Sequence, residues 1–170
     1  MKTSIKRSYL EIKSIQNLSE VFKPSNNLNI SLIKKPDFQI NKFFYKEIGK
    51  KHRWIDRLSW TEKNWIAYVS STEVKTYVLK EYENFIGYFE QIFHNEKTDC
   101  EIAYFGVLEE FIGKKYGGYL LSEAIKESFK LGVNRVWVHT CSLDHKHALE
   151  NYKSRGMKIF KSETISITPF

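Results

Sequence analysis

The chain has 170 residues, of which 42% are hydrophobic and 28% charged, a composition that indicates one globular domain over residues 1–170. Its 27 Lys and Arg against 20 Asp and Glu give a net charge of +7, which favours polyanionic partners such as nucleic acid, an anionic membrane or a cofactor with several phosphates. The sequence shows no secretory signal and no apolar run of membrane-spanning length, so we predict a cytoplasmic protein.

Alternating hydrophobicity and turn residues define the strands, and apolar residues at helical intervals define the helices. In chain order, the predicted strands are residues 9–15, 28–34, 75–81, 85–93, 101–108, 135–140, 157–161 and 163–168. The predicted helices are a short turn at 18–22, residues 37–54 with Asp37 as cap, a segment starting at Ser59 or Thr61, one following Gly118, and one from Asp144 to about Ser154. Gly132 and Gly156 are predicted helix stops. A sheet with both antiparallel hairpins and one parallel crossover follows from this order.

The most informative stretch is residues 101–131, a strand, a glycine-containing loop and an amphipathic helix. The inner side of the helix is mostly apolar and carries Leu120, Leu121, Ala124, Ile125, Ser128 and Phe129. A glycine turn that opens a helix presents backbone N–H groups and the positive end of the helix dipole to solvent. Lys114 and Lys115 add positive charge, and Gly117 and Gly118 lack the Cβ that would hinder a large anion. We therefore predict a phosphate-binding site here.

The cysteines and histidines point to no metal or disulfide chemistry. Cys100 and Cys141 fall at the start of one strand and the end of a parallel one, so we expect two reduced thiols. Nothing in the spacing supplies Cys141 with an activating base. His145 and His147 do not share a helix face at metal-ligand spacing, so we expect no metal.

Aromatic and charged residues are unusually dense between the first two long helices. The cluster is Tyr45, His52, Trp54, Asp56, Arg57 and Trp60. Two interpretations remain open: the aromatics cap a core, or they form the wall of a substrate pocket in which Asp56 or Arg57 is the charged group.

The order of elements and two motifs resemble the GNAT superfamily of N-acetyltransferases, and the flanking sequence is similar to a largely uncharacterised bacterial branch of it. The family loop, Arg/Gln-x-x-Gly-x-Gly/Ala, matches residues 112–117, where Ile112 replaces the Arg/Gln, Lys115 replaces the first glycine and Gly117 is retained. The second motif matches Ala148, Tyr152 and the pair Gly156-Met157. The resemblance implies an α/β (α+β) fold with a mixed, mostly antiparallel sheet of six to seven strands flanked by about four helices.

The resemblance also implies acetyl-CoA as co-substrate, direct transfer in a ternary complex, and roles for particular residues. The cofactor-binding residues would be Phe105, Val107, Leu108, Gly113, Lys114, Lys115, Tyr116, Gly117 and Gly118. Tyr152 would be the general acid, because a phenol is protonated at neutral pH. Glu101 would be the general base, with Glu90 and His139 as alternatives. The acceptor is suggested by the aromatic cluster rather than by the resemblance: the cluster would suit a small cationic or aromatic amine in contact with Trp54, Asp56 and Arg57.

The sequence matches the motifs of other classes of protein less well. Gly113-x3-Gly117-Gly118 is not the dinucleotide-binding motif, and no Gly-Lys-Ser/Thr follows as in a P-loop. The lysines are scattered, which disfavours nucleic acid binding, and we expect neither a nucleic acid nor a membrane partner. A non-catalytic sensor of CoA with the same fold remains an alternative, as does a homodimer. The acceptor and the length of the acyl group are not encoded in any motif.

Overall fold

A seven-stranded sheet forms the centre of the molecule, and the computed structural model describes residues 2–168. The strands are β1 (Thr3–Ile12), β2 (Leu28–Leu32), β3 (Val74–Glu81), β4 (Asn84–His94), β5 (Asp99–Val107), β6 (Arg135–Cys141) and β7 (Lys158–Ile167). The α-helices are α1 (Phe38–Gly49), α2 (Glu62–Val69), α3 (Tyr116–Phe129) and α4 (Ala148–Ser154). The order across the sheet is β2-β3-β4-β5-β6-β1-β7, and within this sheet β5 and β6 pair in parallel whereas the other neighbours are antiparallel. The predicted mixed, mostly antiparallel fold is confirmed. No helix among residues 2–168 is both long and apolar enough to cross a bilayer.

The two faces of the sheet carry separate apolar clusters. Val78 and Leu79 are neighbours on β3, so their side chains point to opposite faces. Leu79 belongs to the larger cluster, in which Leu120, Leu121 and other residues of α3 are fully buried. Val78 packs instead with residues of α1, including Phe44. Each fully buried aliphatic side chain stabilises the fold by about 1.5–3 kcal/mol, so both helices are fixed on the sheet.

The N-terminal strand lies inside the sheet rather than at its edge. β1 pairs with β6 on one side and with β7 on the other, over residues 3–12. It is therefore longer and earlier than the predicted strand at 9–15. After it, Ser14 caps a 3₁₀ turn at Ile15–Asn17, so the predicted helical turn at 18–22 is wrong. Asp37 and Thr61 cap α1 and α2 as predicted.

The C-terminal strand is continuous. The two predicted strands at 157–161 and 163–168 are one strand, β7, because Ser162 is paired with Ser8 instead of turning. The irregularity falls at Phe160, where β7 has one more residue than β1: Lys161 pairs with Tyr9, and Ile159 with Leu10.

The centre of the sheet opens between β5 and β6. They pair only from Asp99 to Glu101 within the described chain, opposite Arg135–Trp137. β5 also bulges, since Ile102 and Tyr104 pair with the adjacent residues Gln91 and Glu90 of β4 and leave Ala103 extra. Beyond Glu101 the two strands diverge, so the β5 edge that faces β6 has no strand partner within residues 2–168.

Candidate active site

A cavity of about 430 Å³ occupies the gap between β5 and β6. This volume is in the range of small-molecule sites, ~300–1,000 Å³. β5 lines it from Ile102 to Val107, and β6 contributes His139 and Cys141. The segments after α1 and before α4 complete the walls. The cavity therefore lies at the divergence of the two strands, where a β5 edge is available for hydrogen bonding.

The first turn of α3 forms one end of the cavity. Lys115, in the left-handed region at φ 67°, precedes the helix, and Gly113 turns the loop at φ 89°. The first backbone N–H groups of a helix have no partner within the helix, so those of α3 are available at this end. Lys115, Gly117 and Gly118 line the cavity. This geometry is compatible with the anion site that the sequence predicts, and anion binding itself stays a prediction.

The predicted cofactor residues separate into two groups. Phe105, Val107, Gly113, Lys115, Gly117 and Gly118 line the cavity. Three others direct their side chains elsewhere. Leu108 is buried with the α1 cluster, the Lys114 ammonium lies 5.6 Å from the Phe111 ring centroid, and the Tyr116 hydroxyl is 3.4 Å from Glu81 Oε2. At the helix start, Tyr116 can therefore contact a ligand through its backbone N–H rather than through its side chain.

Gly117 and Gly118, in the first turn of α3, are glycines for different physical reasons. A Cβ on Gly118 would come within 2.9 Å of Val21 Cγ2 and 2.6 Å of Arg155 Nη1, so packing of other protein atoms requires glycine there. A Cβ on Gly117 would meet only the Asn151 side chain, at 3.7 Å, within the described chain. Asn151 Nδ2 also donates to the Gly117 carbonyl oxygen at 3.3 Å. Gly117 is thus the glycine whose open side faces the cavity.

Tyr152, on α4, lines the cavity with a nearly completely buried side chain. Its ring centroid is 6.2 Å from that of Phe105 on β5. Burial, and to a lesser degree the charge of Asp144, raise the pKa of Tyr152 well above the usual value near 10. The hydroxyl is therefore protonated at neutral pH and has a proton to give, although as a weaker acid than a free phenol.

Glu101 does not line the cavity. It lies in the short paired part of β5, opposite Trp137, with Oε1 3.2 Å from His94 Nε2. The bulge at Ala103 comes after it, so the divergence of the strands begins beyond Glu101. The structure thus does not bring this predicted base into the cavity with Tyr152.

His139, one of the alternative candidates for the base, does lie in the cavity. It lines the cavity from β6, with its ring centroid 5.6 Å from that of Tyr9. His139 is exposed on the open side of the cavity, with protein packed around the rest of its ring. Desolvation by this surrounding protein first, and then the charge of Arg7, lower the pKa of His139, while Glu101, Asp144 and Asp56 oppose the shift. The imidazole is consequently neutral at pH 7 and able to accept a proton.

The three predicted substrate residues do not all lie at the cavity. Trp54 and Asp56 line the cavity, whereas Arg57 does not. The Arg57 side chain is 5% exposed and its Nη1 lies 2.9 Å from Oε1 of Glu90, which is itself fully buried. The guanidinium is surrounded by the rings of Tyr45, Trp60, Trp65, Tyr68 and Tyr104. Arg57 and Glu90 therefore neutralise each other inside an aromatic core, which excludes Arg57 as a substrate contact and Glu90 as the base.

A segment between α1 and α2 crosses the cavity and contacts the loop before α4. Trp54 Nε1 donates to Asp144 Oδ1 at 3.3 Å, and His52 Nδ1 lies 3.3 Å from the Leu143 carbonyl oxygen. Asp144 also accepts from the Thr140 hydroxyl and from the backbone N–H of Cys141, at 3.1 Å. The prediction that Asp144 caps α4 is thus wrong: its carboxylate joins these two segments, and α4 begins at Ala148.

The cysteines and histidines near the cavity form no metal site in the described part of the chain. Cys141 lines the cavity and Cys100 is buried at the far end of the strand pair, and both are free thiols. Burial raises the pKa of Cys141, so its thiol is protonated at neutral pH and is a poor nucleophile.

Comparison with known proteins identifies the family. The model of the acetyltransferase (GNAT) family matches residues 38–157, which include the open strand pair, the start of α3 and Tyr152. The chain therefore belongs to the GNAT acetyltransferase family. A search of curated proteins found no significant match.

Solved structures of acetyltransferases share the fold at low identity. A GCN5-related N-acetyltransferase from Sphaerobacter thermophilus superposes with a TM-score of 0.74 at 15% identity, over 99% of this chain and 54% of that one. An aminoglycoside acetyltransferase from an uncultured soil metagenomic sample gives 0.64 at 14% identity, over 78% and 90%. A functionally unknown protein from Staphylococcus epidermidis gives 0.63 at 16%, over 96% and 61%. The chain thus spans little more than half the length of the first of these proteins.

Arg7 and Asn151 line the cavity but were not predicted from the sequence. The alternation of residues 3–12 shows that Arg7 and Tyr9 share a face of a strand. It does not show that β1 lies beside β6, which is a pairing between residues more than a hundred positions apart.

Proposed function

We propose that this protein transfers an acetyl group from acetyl-CoA to a primary amine of a small molecule, by direct transfer in a ternary complex. The observation that carries the proposal is the cavity between β5 and β6, with the start of α3 at one end and the protonated Tyr152 in its wall. Membership of the GNAT family supports the reaction class. The donor, the acceptor and the residue roles below are our inference.

The donor site is formed mostly by backbone. The first N–H groups of α3 and the Lys115 side chain are suited to the pyrophosphate of acetyl-CoA. Gly117 leaves room for it, since the nearest protein atom to an added Cβ is 3.7 Å away. The unpaired β5 edge from Ile102 to Val107 is suited to hydrogen-bond the amides of the pantetheine arm in the manner of an added strand.

Two side chains are suited to move the protons. The acceptor amine must lose a proton to become nucleophilic, and we assign that task to His139, which is neutral at pH 7 and lines the cavity. As the neutral amine forms its bond to the acyl carbon, the C–S bond breaks and the leaving sulfur takes a proton, which we assign to the Tyr152 hydroxyl. The proton that the new amide nitrogen loses returns to the Tyr152 oxygen. Cys141 stays outside the reaction because its thiol is protonated.

The acceptor would lie on what we call the polar side of the cavity, lined by Arg7, Trp54, Asp56, Tyr104 and His139. These residues lie on the sheet face that carries α1. Trp54 and Asp56 would contact the amine before transfer, through its positive charge. The presence of an aminoglycoside acetyltransferase among the similar structures supports a small polar acceptor.

A thermal melt with acetyl-CoA, CoA or NADH tests the donor. Ligand at a hundred times its Kd adds about 2.7 kcal/mol to the free energy of unfolding. For a chain of this size the expected rise in Tm is roughly 5–10 °C, with both CoA ligands and not with NADH. An amine screen with thiol release as readout then tests transfer. Binding of acetyl-CoA without transfer to any amine would favour the CoA sensor, and no shift would exclude both.

A further inference from the structure

Arg7 is a cation of the polar side whose hydrogen-bonding capacity is largely unused. Its Nε is buried and has no hydrogen-bond partner within residues 2–168. Its Nη1 lies 3.8 Å from Glu163 Oε1, which is too far for a hydrogen bond. Glu163 Oε1 instead accepts from the Tyr9 hydroxyl at 2.7 Å. The carboxylate nearest to Arg7 is therefore held by another side chain.

The position of Arg7 places this cation beside the proposed base. Arg7 pairs with Cys141 and Tyr9 pairs with His139 between β1 and β6, so all four side chains lie on the same face of the sheet. Both Arg7 and His139 line the cavity, and the charge of Arg7 acts on the His139 ring. An acceptor with its amine at His139 would have its next few atoms within reach of the guanidinium.

The carboxylates of the polar side differ in how far they are engaged. Asp144 has both oxygens occupied by Trp54, Thr140 and the Cys141 N–H. Asp56 is exposed at the cavity wall, and its negative charge raises the pKa of His139. Of the residues that define the polar side, Asp56 therefore offers a ligand its carboxylate and Arg7 its guanidinium, and both charges act on His139. Arg53, which also lines the cavity, donates through Nη2 to the Thr168 carbonyl oxygen.

We propose that the acceptor carries a carboxylate as well as its amine, and that Arg7 binds this carboxylate. The acceptor class is an amino acid or a similarly zwitterionic molecule. The planar guanidinium matches the two oxygens of a carboxylate, and its two Nη groups would form the pair of hydrogen bonds, because Nε is buried. This inference rests on the proposed acetyl transfer and adds the chemical class of the acceptor to it.

Pairs of amines that differ by a single carboxylate test the inference. With saturating acetyl-CoA and thiol release as readout, kcat/KM is measured for L-lysine against cadaverine, L-ornithine against putrescine, and L-tyrosine against tyramine. We expect the carboxylate-bearing member of at least one pair to react about tenfold or more faster, because hydrogen bonds to a charged group are worth at least one factor of ten. The aminoglycoside sisomicin serves as a polycation without a carboxylate.

Arg7→Gln shows whether the selectivity comes from this residue. We expect the ratio of the two kcat/KM values in a pair to fall to near one, and Arg7→Lys to give an intermediate ratio because it keeps the charge and loses the fork. Lys161→Gln is the matched control: it removes a cation opposite Tyr9 on β7, outside the cavity, and should leave the ratio unchanged. A thermal melt of each variant with acetyl-CoA verifies that the donor site is intact.

Three outcomes would overturn the inference: a faster reaction with cadaverine, putrescine, tyramine or sisomicin than with the amino acids; a selectivity ratio that survives Arg7→Gln; or no amino acid that is acetylated or raises Tm in the presence of CoA. None of these outcomes would contradict the proposal that the protein binds acetyl-CoA as donor. The Tm shift with acetyl-CoA alone decides that proposal, so the two can fail separately.

Discussion

Arg57 and Glu90 form a buried ion pair on the α1 face of the sheet, with Nη1 and Oε1 2.9 Å apart. Glu90 also accepts hydrogen bonds from Asn41 Nδ2 at 2.8 Å and from the Tyr68 hydroxyl at 2.7 Å. These three donors join α1, α2 and the segment between them to β4. The ion pair therefore fixes the segment that carries Trp54 and Asp56.

Breaking this pair should destabilise the protein strongly. Glu90→Gln leaves the Arg57 charge buried without compensation, which costs about 3–5 kcal/mol in comparable cases. We expect Tm to fall by roughly 10 °C or more. The double variant Arg57→Met, Glu90→Leu should recover part of the loss, since neither charge is then buried. A Glu90→Gln variant with unchanged Tm would show that the pair does not support the fold.

Tyr152→Phe should lower turnover and leave donor binding intact. Loss of a general acid typically costs about a hundredfold or more in kcat, whereas the phenyl ring still fills the same space. Because burial raises the pKa of Tyr152, we also expect no decline of the wild-type kcat from this group below about pH 10. The acetyl-CoA-induced Tm shift monitors binding.

Tyr77→Phe is the control for that experiment. Its hydroxyl, 3.3 Å from Glu127 Oε2, lies outside the cavity. Equal losses of turnover in the two variants would point to a general effect of removing a buried hydroxyl, and an unchanged kcat in Tyr152→Phe would remove the acid role.

The pH dependence of kcat should separate His139 from Glu101 as base. A base must be unprotonated, so the rate falls as pH drops through its pKa. The pKa of His139 is lowered from 6.5 by desolvation, so we expect the acidic limb of kcat below pH 6.5. His139→Gln should abolish this limb and reduce kcat about a hundredfold.

Glu101→Gln and His94→Gln complete that comparison. Both residues lie outside the cavity and contact each other, so we expect both variants to retain the acidic limb. Loss of the limb in Glu101→Gln alone would restore the original assignment, with the glutamate acting through water.

Alanine at the two glycines of α3 should affect different properties. Gly117→Ala has room for its Cβ within the protein and should keep or slightly raise Tm, because alanine favours helix, while weakening acetyl-CoA binding. Gly118→Ala would press on Val21, so we expect a lower Tm. Titration of acetyl-CoA by calorimetry and melts without ligand measure the two effects. Normal affinity in Gly117→Ala would show that the ligand does not approach this residue.

Local features of the sequence predicted the scaffold of the site. A strand, a glycine loop and an amphipathic helix are encoded in neighbouring residues, so the inner face of α3 followed from periodicity. The predicted helix start after Gly118 was wrong, because α3 begins at Tyr116 and includes both Gly117 and Gly118. Tyr152 followed from a family motif. The N-caps Asp37 and Thr61 were predictable because capping is a contact between residues two or three apart.

The features that the sequence did not predict depend on contacts between segments that are distant along the chain. Arg57 was placed in the substrate pocket because it adjoins Asp56, but five aromatic rings from four segments enclose it. Glu101 was assigned to the cavity without knowledge of where β5 leaves β6, which depends on the bulge at Ala103. Arg7 was missed because its strand partners come from the other end of the chain.

The interior position of β1 also bears on how the protein is made. Residues 3–12 leave the ribosome well before their partners, residues 135–141 and 158–167. During synthesis both edges of this strand stay unpaired until those partners have emerged, whereas the hairpin of β3 and β4 can form earlier. The wall that carries Arg7, and with it the proposed carboxylate site, is therefore completed later than the β3–β4 hairpin.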